Sequence, residues 1–246
     1  MKQHRAFTAF GALFLCALVL CSLLSRTATS LGVSVSEKGE DRTPVIILDA
    51  GHGGEDGGAS GTNGILEKDL NLALTTTLAH LLRGAGYTVV ETRTTDTLLY
   101  TPGTKKGHKK QGDLENRLAF CERYENSIFV SVHMNTFPND SCMGLQVWYS
   151  QNNDDSDSLA SAVQDTVRTL LQPQNNRRIK ASTSSIYLLR HAKNPAILIE
   201  CGFLSTPAEC ERLSNEAYRR ALALCIFSAI DKNLQSNSCE KNAPMI

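Results

Sequence analysis

Hydrophobic residues recur along this chain in two rhythms, and each rhythm predicts a different element. Val45-Ile46-Ile47-Leu48, Ser127-Ile128-Phe129-Val130-Ser131-Val132 and Ala196-Ile197-Leu198-Ile199 are apolar runs. Such runs are the pattern of strands buried on both faces. Residues 88–92 and 186–189 predict two further short strands, and the alternation over 145–149 predicts another. Between them the spacing lengthens. Leu70, Leu74, Leu78, Leu81 and Leu82 fall on one helical face, so a helix is predicted from about Glu67 to Gly84 or Gly86. Residues 113–124, 159–171 and 215–233 read as helices by the same rule, with a polar loop over 152–158. Strands alternating with helices predict an α/β fold: a single domain over residues 44–235, with a mostly parallel twisted sheet flanked by helices. A short tail, 236–246, follows.

The start of the chain has a different rhythm. Lys2, His4 and Arg5 precede an uncharged apolar run over 6–24, and Arg26 closes it. A basic start before an apolar stretch is a signal peptide or an N-terminal membrane anchor, here residues 1–30. The polar, aperiodic stretch 31–43 is a linker. The domain is thereby expected outside the cytoplasm, with membrane contact through this segment.

Composition narrows the picture further. The chain has 246 residues, 41% hydrophobic, with 17 glycines, which fits one globular domain. Its 25 Lys and Arg balance 25 Asp and Glu, which argues against a nucleic-acid partner, since such domains are usually basic. Of its 8 cysteines, Cys121, Cys142, Cys201, Cys210, Cys225 and Cys239 lie beyond the N-terminal segment. No CxxC occurs, so a redox motif and a four-cysteine zinc site are unsupported. Cys201 and Cys210 are close enough in the chain to bridge, but buried free thiols are the default. Lys105, Lys106, Lys109 and Lys110, with His108, read as a solvated basic loop.

Three of the apolar runs stop at a chemically capable residue: His52, His133 and Glu200. In open α/β sheets ligands bind beyond the carboxyl ends of the strands, so parallel strands would bring these three together. Two histidines and a carboxylate with one open position form a catalytic zinc ligand set. A further, unligated carboxylate is wanted as general base. Glu55, Asp56, Glu67, Asp69 and Glu200 are available, and spacing alone does not say which ligates and which acts as base. The glycine-rich stretch 51–61 lacks the pattern of a phosphate cradle. Its glycines instead let backbone pass close to a metal site. Cys201 neighbours Glu200 in a strand and so points to the opposite face.

Five ordered blocks carry a family likeness. They are Val45-Ile46-Ile47-Leu48-Asp49-Ala50-Gly51-His52-Gly53-Gly54 with Gly64-Ile65-Leu66-Glu67-Lys68-Asp69-Leu70-Asn71-Leu72, then Thr92-Arg93-Thr94-Thr95-Asp96, Asp113-Leu114-Glu115-Asn116-Arg117, Ser131-Val132-His133-Met134-Asn135 and Ile199-Glu200-Cys201-Gly202-Phe203-Leu204-Ser205. Together they resemble the zinc-dependent N-acetylmuramoyl-L-alanine amidases of the Amidase_3 type, over residues 45 to about 232. The resemblance implies hydrolysis of the amide between the lactyl group of N-acetylmuramic acid and L-alanine of the peptidoglycan stem peptide. It implies one Zn2+ per chain held by His52, Glu67 and His133, with Glu200 as catalytic acid/base. It offers Arg93 and Asn135 as substrate contacts or braces, and Arg117 as a brace of the sheet. Within the family the chain is most similar to germination-specific members of spore formers. That implies action on peptidoglycan glycan strands in the spore cortex, in the forespore intermembrane space, and an activating lipoprotein partner. A vegetative amidase in cell separation, or a weakly active peptidoglycan-binding protein on the same scaffold, are the alternatives. Thr206 stands where many relatives carry asparagine.

Overall fold

The run Val45-Ile46-Ile47-Leu48 forms the strand around which the sheet is laid. In the computed structural model, which describes residues 43–139 and 141–241, it is β1 (Val45–Ala50). Both faces of β1 are covered, so its apolar residues have no solvent side to alternate with. β1 pairs in parallel with β2 (Val89–Glu91) on one side and β3 (Ser127–Asn135) on the other. β3 pairs in parallel with β6 (Ala196–Phe203). Beyond β6 lie β4 (Gln146–Tyr149), antiparallel to it, and β5 (Lys180–Ala181), parallel to β4. The order is β2-β1-β3-β6-β4-β5, the mostly parallel sheet that the alternation of elements predicts.

Helices α1 (Glu67–Gly84), α3 (Asp155–Leu170) and α6 (Glu216–Lys241) pack on one face of the sheet. Leu70, Leu74, Leu78 and Leu82 of α1 join Ile46, Val130 and Ile199 in the larger core. Cys201 lies in this core as well, on the face away from its neighbour Glu200. The opposite face is covered by α2 (Lys109–Cys121) and the short α4 (Tyr187–His191), over Ile47, Phe129 and Leu198. α5 (Pro207–Ser214) follows β6.

Several boundaries depart from the sequence pattern. Residues 186–189, expected as a strand, lie mostly in the helix α4. A four-residue apolar run does not distinguish strand from helix. α2 begins at Lys109 rather than Asp113, and so takes in the end of the expected basic loop. Its first turn is charged and carries no apolar period. Lys109 is engaged rather than merely solvated, pairing with Glu55 at 2.7 Å beside the Tyr100 ring. β5 and α5 have no counterpart in the expectation, and α6 runs past residue 235 into the expected tail. Cys201 and Cys210 are both free thiols. The expected signal or anchor, 1–30, lies outside the described residues, as does all but Thr43 of the linker. Among the described residues no helix is long and apolar enough to cross a membrane.

A buried ionic knot fixes the carboxyl edge of the sheet. Asp49 of β1 is fully buried and accepts hydrogen bonds from Arg117 Nη1 (2.5 Å), Ser131 Oγ (2.6 Å) and Thr92 Oγ1 (2.7 Å). Arg117 also donates to Asp113 Oδ2 at 2.7 Å, to the Ala50 carbonyl at 2.9 Å and to the His52 carbonyl at 2.8 Å. The knot joins β1, β3, the end of β2 and α2, and it holds the backbone of the turn that carries His52. Burial alone would raise the Asp49 pKa, but Arg117, Ser131 and Thr92 outweigh it and bring it from 3.8 to about 2. A folded-state pKa below the unfolded one gives stability that is complete above the unfolded value and lost as pH falls through the folded one. Between about pH 5 and pH 2 this group therefore contributes about 2 kcal/mol of acid destabilisation. Urea unfolding across that range checks it. The Asp49→Asn protein, though less stable at neutral pH, is expected to show a correspondingly shallower acid slope, and an unchanged slope would refute the assignment.

Candidate metal centre

His52 enters the site from the turn after β1 in a left-handed conformation, at φ +62°. For a side-chain-bearing residue this costs about 1 kcal/mol, so surrounding contacts must enforce it. Arg117 holds the His52 carbonyl, and Arg93 holds the carbonyls of Ala50 (2.8 Å), Gly51 (3.0 Å), Lys68 (2.9 Å) and Thr95 (3.1 Å). Arg93, 3% exposed, thus ties the turn to α1 and to the segment after β2.

Glu67 is the first residue of α1, where a negative side chain suits the helix dipole. Its Oε2 accepts from the Ala59 amide at 2.7 Å and its Oε1 from the Met134 amide at 3.0 Å. The same Oε1 lies 3.2 Å from His52 Nε2 and 3.0 Å from His133 Nδ1. Burial would raise the Glu67 pKa, but the hydrogen bonds from His133 and His52 outweigh it and hold the carboxyl well below the usual range. His52 turns its other ring nitrogen to Asp56 Oδ2 at 2.9 Å, which fixes the ring with Nε2 toward Glu67. Burial would lower the His52 pKa; Glu67 and Asp56 reverse this and raise it.

One ligand atom from each of His52, Glu67 and His133 lies within 4.8 Å of the other two. Two imidazoles and a carboxylate suit a divalent transition metal such as zinc, and a carboxylate behind a ligating histidine is the usual orienting partner. The backbone around them is cut to fit. A Cβ on Gly51 would fall 2.2 Å from the His133 ring, and one on Gly58 would fall 2.5 Å from Glu67 Oε2. These residues fit a bound ion.

Glu200 stands directly across from His133 in the β3–β6 register. Its Oε2 is buried and has no hydrogen-bond partner among the described residues. Burial raises its pKa. A cleft of about 250 Å³ opens over His52, His133 and Glu200, with Lys110 of α2 and Tyr187 and Leu188 of α4 among its walls. Of the five candidate acids, Glu67 and Glu200 reach the cluster and Asp56 supports it from behind. Glu55 pairs with Lys109 instead, and Asp69 is exposed on α1. Arg93 and Asn135 do not line the cleft. Asn135 turns its Oδ1 to the Thr136 amide at 2.8 Å. The roles of Asp56 and of the α4 wall were not assigned from sequence. The spacing of four between His52 and Asp56 was the available signal for the first.

The profile of the Amidase_3 family, N-acetylmuramoyl-L-alanine amidase, matches residues 46–232. The chain is 35% identical over 187 residues to the germination-specific N-acetylmuramoyl-L-alanine amidase of Bacillus subtilis, covering 76% of this chain and 78% of that one. Among solved structures, the CwlD amidase from Clostridioides difficile, in complex with the GerS lipoprotein, matches with a TM-score of 0.75 and 37% identity. That match covers 78% of this chain and 99% of that one. An N-acetylmuramoyl-L-alanine amidase from Clostridium difficile 630 matches with a TM-score of 0.68 and 31% identity, over 78% of this chain and 97% of that one. With the family profile spanning residues 46–232 and a curated relative 35% identical over 187 residues, this chain belongs to the Amidase_3 family of N-acetylmuramoyl-L-alanine amidases.

Proposed function

We propose that this amidase is a one-zinc enzyme that hydrolyses the amide between the lactyl group of N-acetylmuramic acid and L-alanine of the stem peptide, in spore cortex. His52, Glu67 and His133 would hold the ion. When bound, zinc supplies Lewis-acid polarisation of the scissile carbonyl and acidifies water. Glu200 takes a proton from the attacking water as its oxygen bonds to the carbonyl carbon. The carbon–nitrogen bond then breaks, and Glu200 returns the proton to the departing amine of L-alanine. The walls of the cleft limit the water that competes for this carboxylate.

The observation that carries the reading is the unpartnered Glu200 oxygen beside three converging metal donors. A buried carboxylate oxygen without a partner is costly and calls for a functional explanation. The cortex assignment is supported by the printed role of the Bacillus subtilis relative. Removing stem peptides there leaves bare lactyl groups on the glycan, the substrate for δ-lactam closure by a separate enzyme. The Clostridioides difficile relative is in complex with a lipoprotein. A lipoprotein partner at the outer face of a membrane, with this chain attached through its N-terminal segment, is part of the same proposal.

The test is a paired assay on the purified protein, zinc content beside peptide release from cortex peptidoglycan, resolved by mass spectrometry. One zinc per chain and free peptides beginning at L-alanine are expected. A zinc-loaded protein that releases none, with the lipoprotein present as well, would overturn the reading.

A further inference from the structure

β3, β6 and β4 set three side chains in one row across the carboxyl edge of the sheet. His133 is the register partner of Glu200, and Glu200 that of Gln146, so all three point to one face. With strands about 4.8 Å apart, the row extends roughly 10 Å from the histidine to the glutamine. Gln146 is buried, and both ends of its amide are engaged. Nε2 donates to the Arg178 carbonyl at 2.8 Å, and Oε1 accepts from Arg177 Nη1 at 3.0 Å.

Arg177 is therefore anchored at the end of a row that begins at the metal donors. Its Nε donates to the Met143 carbonyl at 2.8 Å, and its guanidinium lies 4.5 Å from the centre of the Phe203 ring. The plane is fixed by these contacts, yet Nη2 has no partner among the described residues. No described carboxylate pairs with it either; Arg123, Arg178, Arg190, Arg212 and Arg219 share that lack, but none of these combines two side-chain hydrogen bonds with a ring contact. Arg93, also without a carboxylate, satisfies its guanidinium with four carbonyls. A half-buried, immobilised guanidinium with an open edge is a ready partner for an anion, and carboxylate geometry suits it best.

The stem peptide carries such an anion close to the scissile amide. The residue after L-alanine is a glutamate linked through its side chain, which leaves its α-carboxylate free. Two extended residues span about 7 Å, against roughly 10 Å for the row from His133 to Gln146. We propose that Arg177 binds this carboxylate and so selects stem peptides whose second residue is not amidated. The inference rests on the amidase reading above and adds a substrate-binding residue to it.

The test compares two muramoyl-peptide substrates that differ only in whether that carboxylate is free or amidated. The native, zinc-loaded full chain is expected to prefer the free acid, with KM lower by roughly tenfold to a hundredfold. Arg177→Gln is expected to raise KM for the free acid by a similar factor, leave kcat within a few fold, and erase the preference. Arg177→Lys restores part of it. Equal use of both substrates by the native protein would overturn the proposal without touching the amidase assignment. So would a variant that loses kcat equally on both, since that marks a merely structural arginine. Failure of the native protein to cleave either substrate, with the lipoprotein present as well, would overturn the amidase reading, and this inference with it.

Discussion

The Glu200→Gln protein is expected to carry as much zinc as the native one and to turn over muropeptides about 10³-fold more slowly, or worse. Glutamine keeps the volume and the strand, so β6 and its pairing with β3 have no reason to change. It cannot accept the proton of the attacking water, nor return one to the leaving amine. The three converging donors do not include Glu200, so its loss leaves the ligand set whole. Metal content by elemental analysis and kcat by quantified peptide release separate the two effects. A zinc-loaded variant that still turns over at the native rate would remove Glu200 from the acid/base role.

Replacement of His133 by alanine is expected to abolish both properties together. It deletes one of three donors and also takes from Glu67 the hydrogen bond at 3.0 Å that helps hold its carboxylate ionised. Glu67 keeps the amides of Ala59 and Met134, so the start of α1 stays placed. At the edge of the sheet, with its side chain 19% exposed, His133 lies outside both hydrophobic cores, and the domain is expected to remain folded by circular dichroism. Zinc should fall to background and turnover by at least about 10³-fold, since both polarisation of the carbonyl and acidification of water go with the metal. Full zinc occupancy in this folded variant would contradict the ligand set.

Much of this was legible in the chain, for reasons that differ by element. β1, β3 and β6 announce themselves because a strand covered on both faces must be apolar throughout, and α1 because one long face meets the sheet. α4 was misread because a single apolar turn has no measurable period. The antiparallel direction of β4 depends on which strand it meets, a non-local fact that four residues do not encode. At the site, the strand-end positions of His52, His133 and Glu200 could be read directly. Which of Glu67 and Glu200 joins the two histidines could not. It depends on the helix start reaching under both histidines while Glu200 lies one strand further along the edge. Asp49 passed as part of a turn, since nothing in its neighbours shows that an arginine 68 positions away closes over it.

The spacing between Glu200 and His133 is a repeat distance of the β-ladder. It is set by main-chain hydrogen bonds between two central strands, much as a lattice constant is set by its unit cell. Repacking of the cores beneath it can weaken the domain, but it has little purchase on that separation. Side-chain drift is thereby filtered out before it reaches the chemistry. Substitutions under the sheet can therefore accumulate while the working gap above it stays constant.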